Sequence, residues 1–204
     1  FLSADGALAA AATSQNVVEV WNIAEARRIR TITYGDNRAI LSLAFSPDAQ
    51  FVLLGTTGAR ADVWSLSGGG NAPDESYTFS DMSAKSVTQI AMSPDLSRII
   101  MADEAGGIFG FQRGSPAPVD ILGGGSDVLL ALVFSPDGRR LLETSTDGFA
   151  RVWDLESATL VTRFRIGASG AFSEGSAAFS PDGSQILIGT LAAARLWRAD
   201  TGQR

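Results

Sequence analysis

The sequence predicts an all-β chain built from five copies of one four-stranded antiparallel sheet. Two phased markers and the apolar runs between them carry that expectation. The tetrapeptide Phe45-Ser46-Pro47-Asp48 returns as Met92-Ser93-Pro94-Asp95, as Phe134-Ser135-Pro136-Asp137 and as Phe179-Ser180-Pro181-Asp182, with a weaker copy at Leu2-Ser3-Ala4-Asp5. Its serines, at 3, 46, 93, 135 and 180, lie 43, 47, 42 and 45 residues apart, in or near the repeat length of a propeller blade. A large aromatic follows each serine in phase: Trp21, Trp64, Phe111 and Trp153 come eighteen residues later, and Trp197 seventeen.

Each strand of the repeat follows from that frame. An inner strand leads into the turn, as in Ala39 to Phe45, Val87 to Met92, Leu130 to Phe134 and Ser176 to Phe179. Proline pre-sets φ for the second position of a tight turn, and Asp-Gly or Asp-Ala closes it, so Ser-Pro-Asp ends one strand and starts the next. The segments that follow, Phe51 to Leu54, Arg98 to Met101, Arg140 to Leu142 and Gln185 to Ile188, are near-continuous apolar runs, as expected of strands covered on both faces. Third come Glu19-Val20-Trp21, Asp62-Val63-Trp64, Arg151-Val152-Trp153 and Arg195-Leu196-Trp197, whose alternation reads as a strand and whose aromatic can plug the gap between sheets. Ile29 to Tyr34 and Val161 to Phe164 also alternate, which suits an outer strand with one face in solvent. A single sheet of this kind cannot bury both faces, whereas radial stacking of copies does, so the expected architecture is a β-propeller.

Composition narrows the function. Cysteine and histidine are absent, which removes disulfides, thiolate metal sites, cysteine nucleophiles and the side chain most used for acid-base work near neutral pH. The net charge of −6 comes without a run of like charges, and fifteen Arg stand against the single Lys85. A nucleic-acid face would need clustered cations, so none is expected. The longest apolar stretches, Ala7 to Ala12 and Val128 to Phe134, are far too short for a membrane span. The chain starts at Phe1 and carries no readable targeting signal; a cytoplasmic setting is the default expectation. Abundant Ala, Gly and Arg beside one Lys suit G·C-rich coding and a bacterial source.

The fourth repeat reads Val133-Phe-Ser-Pro-Asp-Gly-Arg-Arg-Leu-Leu142 and then Thr144-Ser-Thr-Asp-Gly-Phe-Ala-Arg-Val-Trp-Asp-Leu155. It closely resembles the Trp-Asp (WD) repeat family of β-propellers, and similar motifs cover essentially the entire chain. The resemblance implies a hydrogen-bonded tetrad of His, a second-strand Ser or Thr, a turn Asp and the third-strand Trp in each blade. Here the repeats are degenerate: the His is missing throughout, the turn Asp is clear only at Asp147, and the Trp-Asp pair is literal only at Trp153-Asp154. Apolar packing is therefore expected to carry stability in place of the tetrad.

The repeats run over about 1–38, 39–84, 85–127, 128–174 and 175–204 as one propeller domain, with an inner strand missing from the first blade and an outer strand from the last. Members of the family most often close with seven blades, so five open-ended repeats are expected to be part of a larger, seven-bladed ring.

The inner strands contain no acid and no base, where a propeller hydrolase would need carboxylates; no catalytic residue, cofactor or metal ligand is expected. The adjacent carboxylates Asp103-Glu104 and Asp74-Glu75 read as solvated loop charge. Gly68 to Gly70, Gly123 to Gly125 and Gly167 to Gly175 read as loops, because they lack the Lys-Ser/Thr of a phosphate loop. One carboxylate per Ser-Pro-Asp turn is too few for calcium.

The loops between strands remain as the candidate surface. Four residues before each third-strand aromatic stand Val17, Arg60, Gly107, Phe149 and Ala193, of which Arg60 and Phe149 are the types enriched at interface hot spots. Arg38, Lys85, Asp127 and Phe172, with Asp36 and Glu174, come from loops between blades. The expected function is a non-catalytic scaffold or sensor that binds a protein or peptide across its loop face, with no small-molecule substrate. The alternative is the regulatory propeller segment of a multidomain signalling enzyme such as a kinase, protease or NTPase, and a propeller hydrolase ranks third.

Overall fold

The computed structural model describes residues 1–14, 16–34, 38–78, 86–115, 117–122, 127–167, 177–189 and 193–204, the side chains of 120–122 excepted. They form five sheets in chain order. The first holds β1 (Leu8–Ser14), β2 (Val17–Asn22) and β3 (Arg27–Thr33), and the second β4 (Ile40–Phe45), β5 (Phe51–Thr56), β6 (Arg60–Ser65) and β7 (Glu75–Thr78). The third holds β8 (Val87–Met92), β9 (Arg98–Asp103), β10 (Ile108–Gln112) and β11 (Pro118–Leu122). In the fourth are β12 (Leu129–Phe134), β13 (Arg140–Ser145), β14 (Phe149–Asp154) and β15 (Thr159–Arg165), and in the fifth β16 (Ala177–Phe179), β17 (Gln185–Gly189) and β18 (Ala194–Arg198). Spatial order follows chain order in every sheet. Phe1 and Leu2 hold the inner position of the first sheet as a short pairing with Ala10 and Ala9.

One hydrogen-bond pattern explains why the Ser-Pro-Asp turn recurs. The residue after Asp donates its N–H to the Ser carbonyl, at 2.9 Å in Ala49 to Ser46 and in Gly138 to Ser135. The Ser hydroxyl donates to the Asp carboxylate, at 2.5 Å for Ser135 to Asp137 and 2.6 Å for Ser180 to Asp182. It also accepts the first N–H of the next strand, at 2.9 Å from Phe51 to Ser46. The serine is thus the hub of the turn, and Ser46, Ser93 and Ser135 are buried. The residue after Asp sits at positive φ, which glycine tolerates at Gly138 (φ 71°) but which Ala49 (φ 55°) and Leu96 (φ 63°) adopt under steric protest.

The second strands β5, β9 and β13 are buried along all but their first residue, as the apolar runs require. They reach beyond the expected segments because Thr56, Thr144 and Ser145 stay in the ladder while fully buried. Close approach is written into Gly55: a Cβ there would meet the Val87 carbonyl of the next sheet at 2.8 Å and, within its own sheet, Ser42 Oγ at 2.1 Å. The strand β17 instead alternates exposed and buried.

Outer strands are clipped to the third-to-fourth strand turn of the following sheet. Arg30 on β3 donates to the Gly70 carbonyl at 2.9 Å. On β7, Glu75 accepts from Arg113 Nε at 2.7 Å, and the Tyr77 hydroxyl accepts from the Gly114 N–H at 3.0 Å. In β15, Phe164 packs so tightly on Gly202 that a Cβ there would lie 2.7 Å from its ring. These clips correct the reading of Asp74-Glu75 as solvated charge: Glu75 is half-buried, and Asp74, though exposed, accepts the Ser65 N–H at 2.7 Å.

By compactness the chain divides into two units, Phe1–Met101 with Gly110–Val119, and Ala102–Phe109 with Asp120–Arg204. The core of the first is a cluster of Val18, Val20, Ile32 and Tyr34 with Leu43, Val52, Leu54 and Trp64. In the second, Leu142, Val152, Phe164 and Ile166 pack on Ile186 and Ile188. Facing positions of successive sheets therefore interdigitate, which is what the two-sided burial of central strands demands.

Candidate functional site

In the first unit, a pocket of about 220 Å³ is lined by Tyr34, Arg38, Arg60, Trp64, Asn71 and Pro73, among others. Arg38, expected in a loop between blades, and Arg60, expected at the start of a third strand, thus reach one site. Sheet geometry brings them there. Tyr34 leaves the outer strand β3 and turns toward the second sheet, Arg38 follows on the way to β4, and Arg60 opens β6 with Trp64 four residues along the same strand.

Beneath this pocket lies a network centred on Asp62, which is fully buried. Its carboxylate accepts from Arg60 Nε at 2.8 and 3.0 Å, from Ser76 Oγ at 2.5 Å and from the Tyr34 hydroxyl at 2.7 Å. Arg60 also donates to Ser76 Oγ at 2.8 Å, and the Trp64 indole N–H reaches the Tyr34 oxygen at 3.3 Å. A buried carboxylate needs both a counter-charge and hydrogen bonds, and this one has them. Burial pushes the Tyr34 phenol far above its ordinary pKa, and the negative charge of Asp62 pushes the same way. Arg60 therefore presents a fixed guanidinium edge to the pocket, 28% exposed along its side chain. The Arg38 guanidinium lies 5.4 Å from the centroid of the Tyr34 ring, within cation–π range.

Expectation and structure part company over what replaces the missing tetrad. Apolar packing does not act alone, because charged networks are rebuilt from other residues. In the second sheet Tyr34 supplies the hydroxyl partner for the Trp64 indole. In the fourth, Arg151 spans the fully buried Glu143, at 3.0 Å, and the turn carboxylate of Asp147. Burial pushes the Glu143 carboxyl up, against the pull of Arg151. In the third, Asp103 is 1% exposed and accepts the Ala105 and Gly107 N–H groups at 2.8 and 2.9 Å. That overturns its reading as solvated loop charge, while Glu104 is exposed as expected. No sequence signal separated Asp103 from Glu104 except its place at the end of an apolar run.

Phe149 opens β14 in the second unit, opposite Arg165. Its half-buried ring is capped by the Arg163 guanidinium at 3.7 Å from the centroid. It belongs to rim packing as well as to any surface it offers. Asp127, also in this unit, is half-buried just before β12. Lys85 and Phe172, like Asp36 and Glu174, lie outside the described residues. Among the described residues no group of three or more acidic side chains is placed to hold a metal ion.

Comparison with known proteins agrees with this architecture. The family model described as WD domain, G-beta repeat matches residues 117–154. WD repeat-containing protein 1 of Gallus gallus is 32% identical over 96 residues, covering 46% of this chain and 16% of that protein. WD repeat-containing protein SL1-17 of Schistosoma mansoni is 26% identical over 160 residues, covering 78% of this chain and 51% of that protein. The chain thus spans about half the length, or less, of these curated relatives. Among solved structures, the Cps50 (Swd1) β-propeller domain of Myceliophteria thermophila matches 97% of this chain and 63% of its own, with a TM-score of 0.77 at 16% identity. That similarity shows a β-propeller fold, and the repeat match and the relatives support the WD-repeat family.

Proposed function

We propose that this chain of WD-repeat blades is a protein-interaction platform that holds a protein or peptide partner and performs no chemistry of its own. In this reading residues 1–204 are one propeller domain, part of a larger ring, and its loops present the binding surface. The pocket of Tyr34, Arg38, Arg60 and Trp64 carries the proposal. It joins an aromatic floor to two guanidiniums, the combination enriched where interfaces concentrate their energy. Its Arg60 is already fixed by Asp62, so little side-chain freedom is lost when a partner docks. Inner strands without acid or base, and a chain without His or Cys, support the non-catalytic part.

The experiment is to recover a partner with this chain and to titrate it against Arg38→Ala and Phe149→Ala. Arg38→Ala is expected to weaken binding about tenfold, as hot-spot truncations do, and Phe149→Ala to weaken it less because Arg163 already covers that ring. Unchanged affinity in Arg38→Ala overturns the pocket as an anchor. Turnover of a glycoside or ester by the chain, abolished by an inner-strand mutation, overturns the non-catalytic reading.

A further inference from the structure

Far from the candidate pocket in sequence, the second unit holds a larger cleft of about 670 Å³ between the Ser-Pro-Asp turns of the fourth and fifth sheets. Arg139, Arg140 and Arg198 line it together with Asp137, Asp154, Asp182 and Asp200. Opposite charges at such density ordinarily pair with each other. Here close pairs do not form: among the described residues none of these arginines comes within ion-pair distance of a carboxylate, although Arg113 and Glu75 do so elsewhere, and only longer-range attraction links Arg139 and Arg140 to Asp137 and Arg140 to Asp154.

The turns explain why. Asp137 is held by Ser135 Oγ at 2.5 Å and the Arg139 N–H at 3.0 Å, and Asp182 by Ser180 Oγ at 2.6 Å and the Ser184 N–H at 3.0 Å. Asp154 accepts the Ser157 N–H at 2.8 Å. In all three, one carboxylate oxygen is tied into its own turn. That leaves the other oxygen of Asp137 and of Asp154 without a hydrogen bond, and the guanidiniums donate none to a side chain. Both walls carry both signs, with Arg139, Arg140, Asp137 and Asp154 on the fourth sheet and Arg198, Asp182 and Asp200 on the fifth.

We propose that this cleft docks an extended peptide segment of a partner protein whose two faces each carry acidic and basic side chains. Charge complementarity selects that occupant. A purely acidic segment would meet four carboxylates and a purely basic one three guanidiniums, whereas a mixed segment satisfies both. In an extended chain, residues two apart share a face, so a Glu-Glu-Lys-Lys repeat places one acid and one base on each side. The arginines supply forked donors for its carboxylates, and the free aspartate oxygens accept from its ammonium groups. This surface does not depend on the Arg38 and Arg60 pocket.

The test is fluorescence anisotropy of a labelled Glu-Glu-Lys-Lys-Glu-Glu-Lys-Lys peptide with the full chain, beside all-Glu and all-Lys octapeptides. The mixed peptide is expected to bind at least tenfold more tightly than either control and to weaken as salt shortens the screening length. Arg139→Gln with Arg198→Gln is expected to reduce binding at least tenfold with little change in melting temperature, since those guanidiniums make no hydrogen bond or close ion pair in the fold. Arg38→Ala is expected to leave it unchanged. Equal binding by the all-Lys peptide, which the net charge of −6 alone would produce, overturns the proposal. So does indifference to the double variant, or loss of binding in Arg38→Ala.

Discussion

The Tyr34 hydroxyl, at the end of the first sheet, donates a 2.7 Å hydrogen bond to the carboxylate of Asp62 in the second. Nothing local to either residue demands it, since they are 28 positions apart. It ties two successive sheets through a fully buried charge that also holds Arg60.

Removing either end of this bond should therefore cost stability by different amounts. Asp62→Ala strips the counter-charge from Arg60 and the acceptor from Tyr34, and is expected to destabilise by about 3 kcal/mol, at the low end for a broken buried pair because Arg60 is partly exposed. Tyr34→Phe keeps the ring and is expected to cost about 1.5 kcal/mol, the worth of one hydrogen bond to a charged group. Urea unfolding of both variants checks the order, and equal losses would show that the hydroxyl bond accounts for all that Asp62 contributes, with Arg60 adding nothing.

The turn backbone offers a matched pair. Ala49 sits at φ 55° where Gly138 sits at φ 71° in the same turn position. Ala49→Gly is expected to stabilise by about 0.5–1 kcal/mol and Gly138→Ala to destabilise by a similar amount, because only glycine enters that region without a Cβ clash. Thermal melts of the two variants should move in opposite directions.

Acid should loosen the turns. The Ser93 hydroxyl, with further bonds from Ser97, holds the Asp95 carboxyl down at about 2, and the Ser180 hydroxyl with the Ser184 N–H does the same for Asp182. Both start from an ordinary 3.8. A lowered folded-state pKa means stability that is complete above the unfolded value and lost as pH falls, here between about 4 and about 2. Carbon-detected NMR titration of the aspartates should give these two the lowest midpoints, and Ser180→Ala should return Asp182 toward its ordinary value.

Alkali should act on the clip between the second and third sheets. Burial, aided by the hydrogen bond to Glu75, pushes the Tyr77 phenol up to about 12 from 10.0. A raised pKa gives stability that is complete below the unfolded value and lost as pH rises through the folded one. Ultraviolet titration should find Tyr77 ionising near 12 and Tyr34 later still, and Glu75→Gln should lower the first of these.

Close approach of sheets can be tested at Gly55. Gly55→Ala drives a methyl group into Ser42 and the Val87 carbonyl, and is expected to cost about 2 kcal/mol, within the range for overpacking. Ser42→Ala in the same chain removes the 2.1 Å contact and should recover part of that loss, measurable as a double-mutant cycle.

Sequence alone determined the repeat and the strand order within each sheet, because these follow from local turn chemistry and from patterns of period two. Ser-Pro-Asp sets each turn within a few residues, and the apolar runs mark which strands are covered twice. Tertiary structure alone decided which polar residues would be partnered inside. Asp103 and Glu104 are neighbours of one charge, yet only the first points into its turn. Tyr34 reaches Asp62, and Arg38 joins Arg60, because stacked sheets bring the end of one repeat against the middle of the next. A buried carboxylate takes whatever donor that stacking supplies, so the missing histidines could be read from the chain, and their replacements could not.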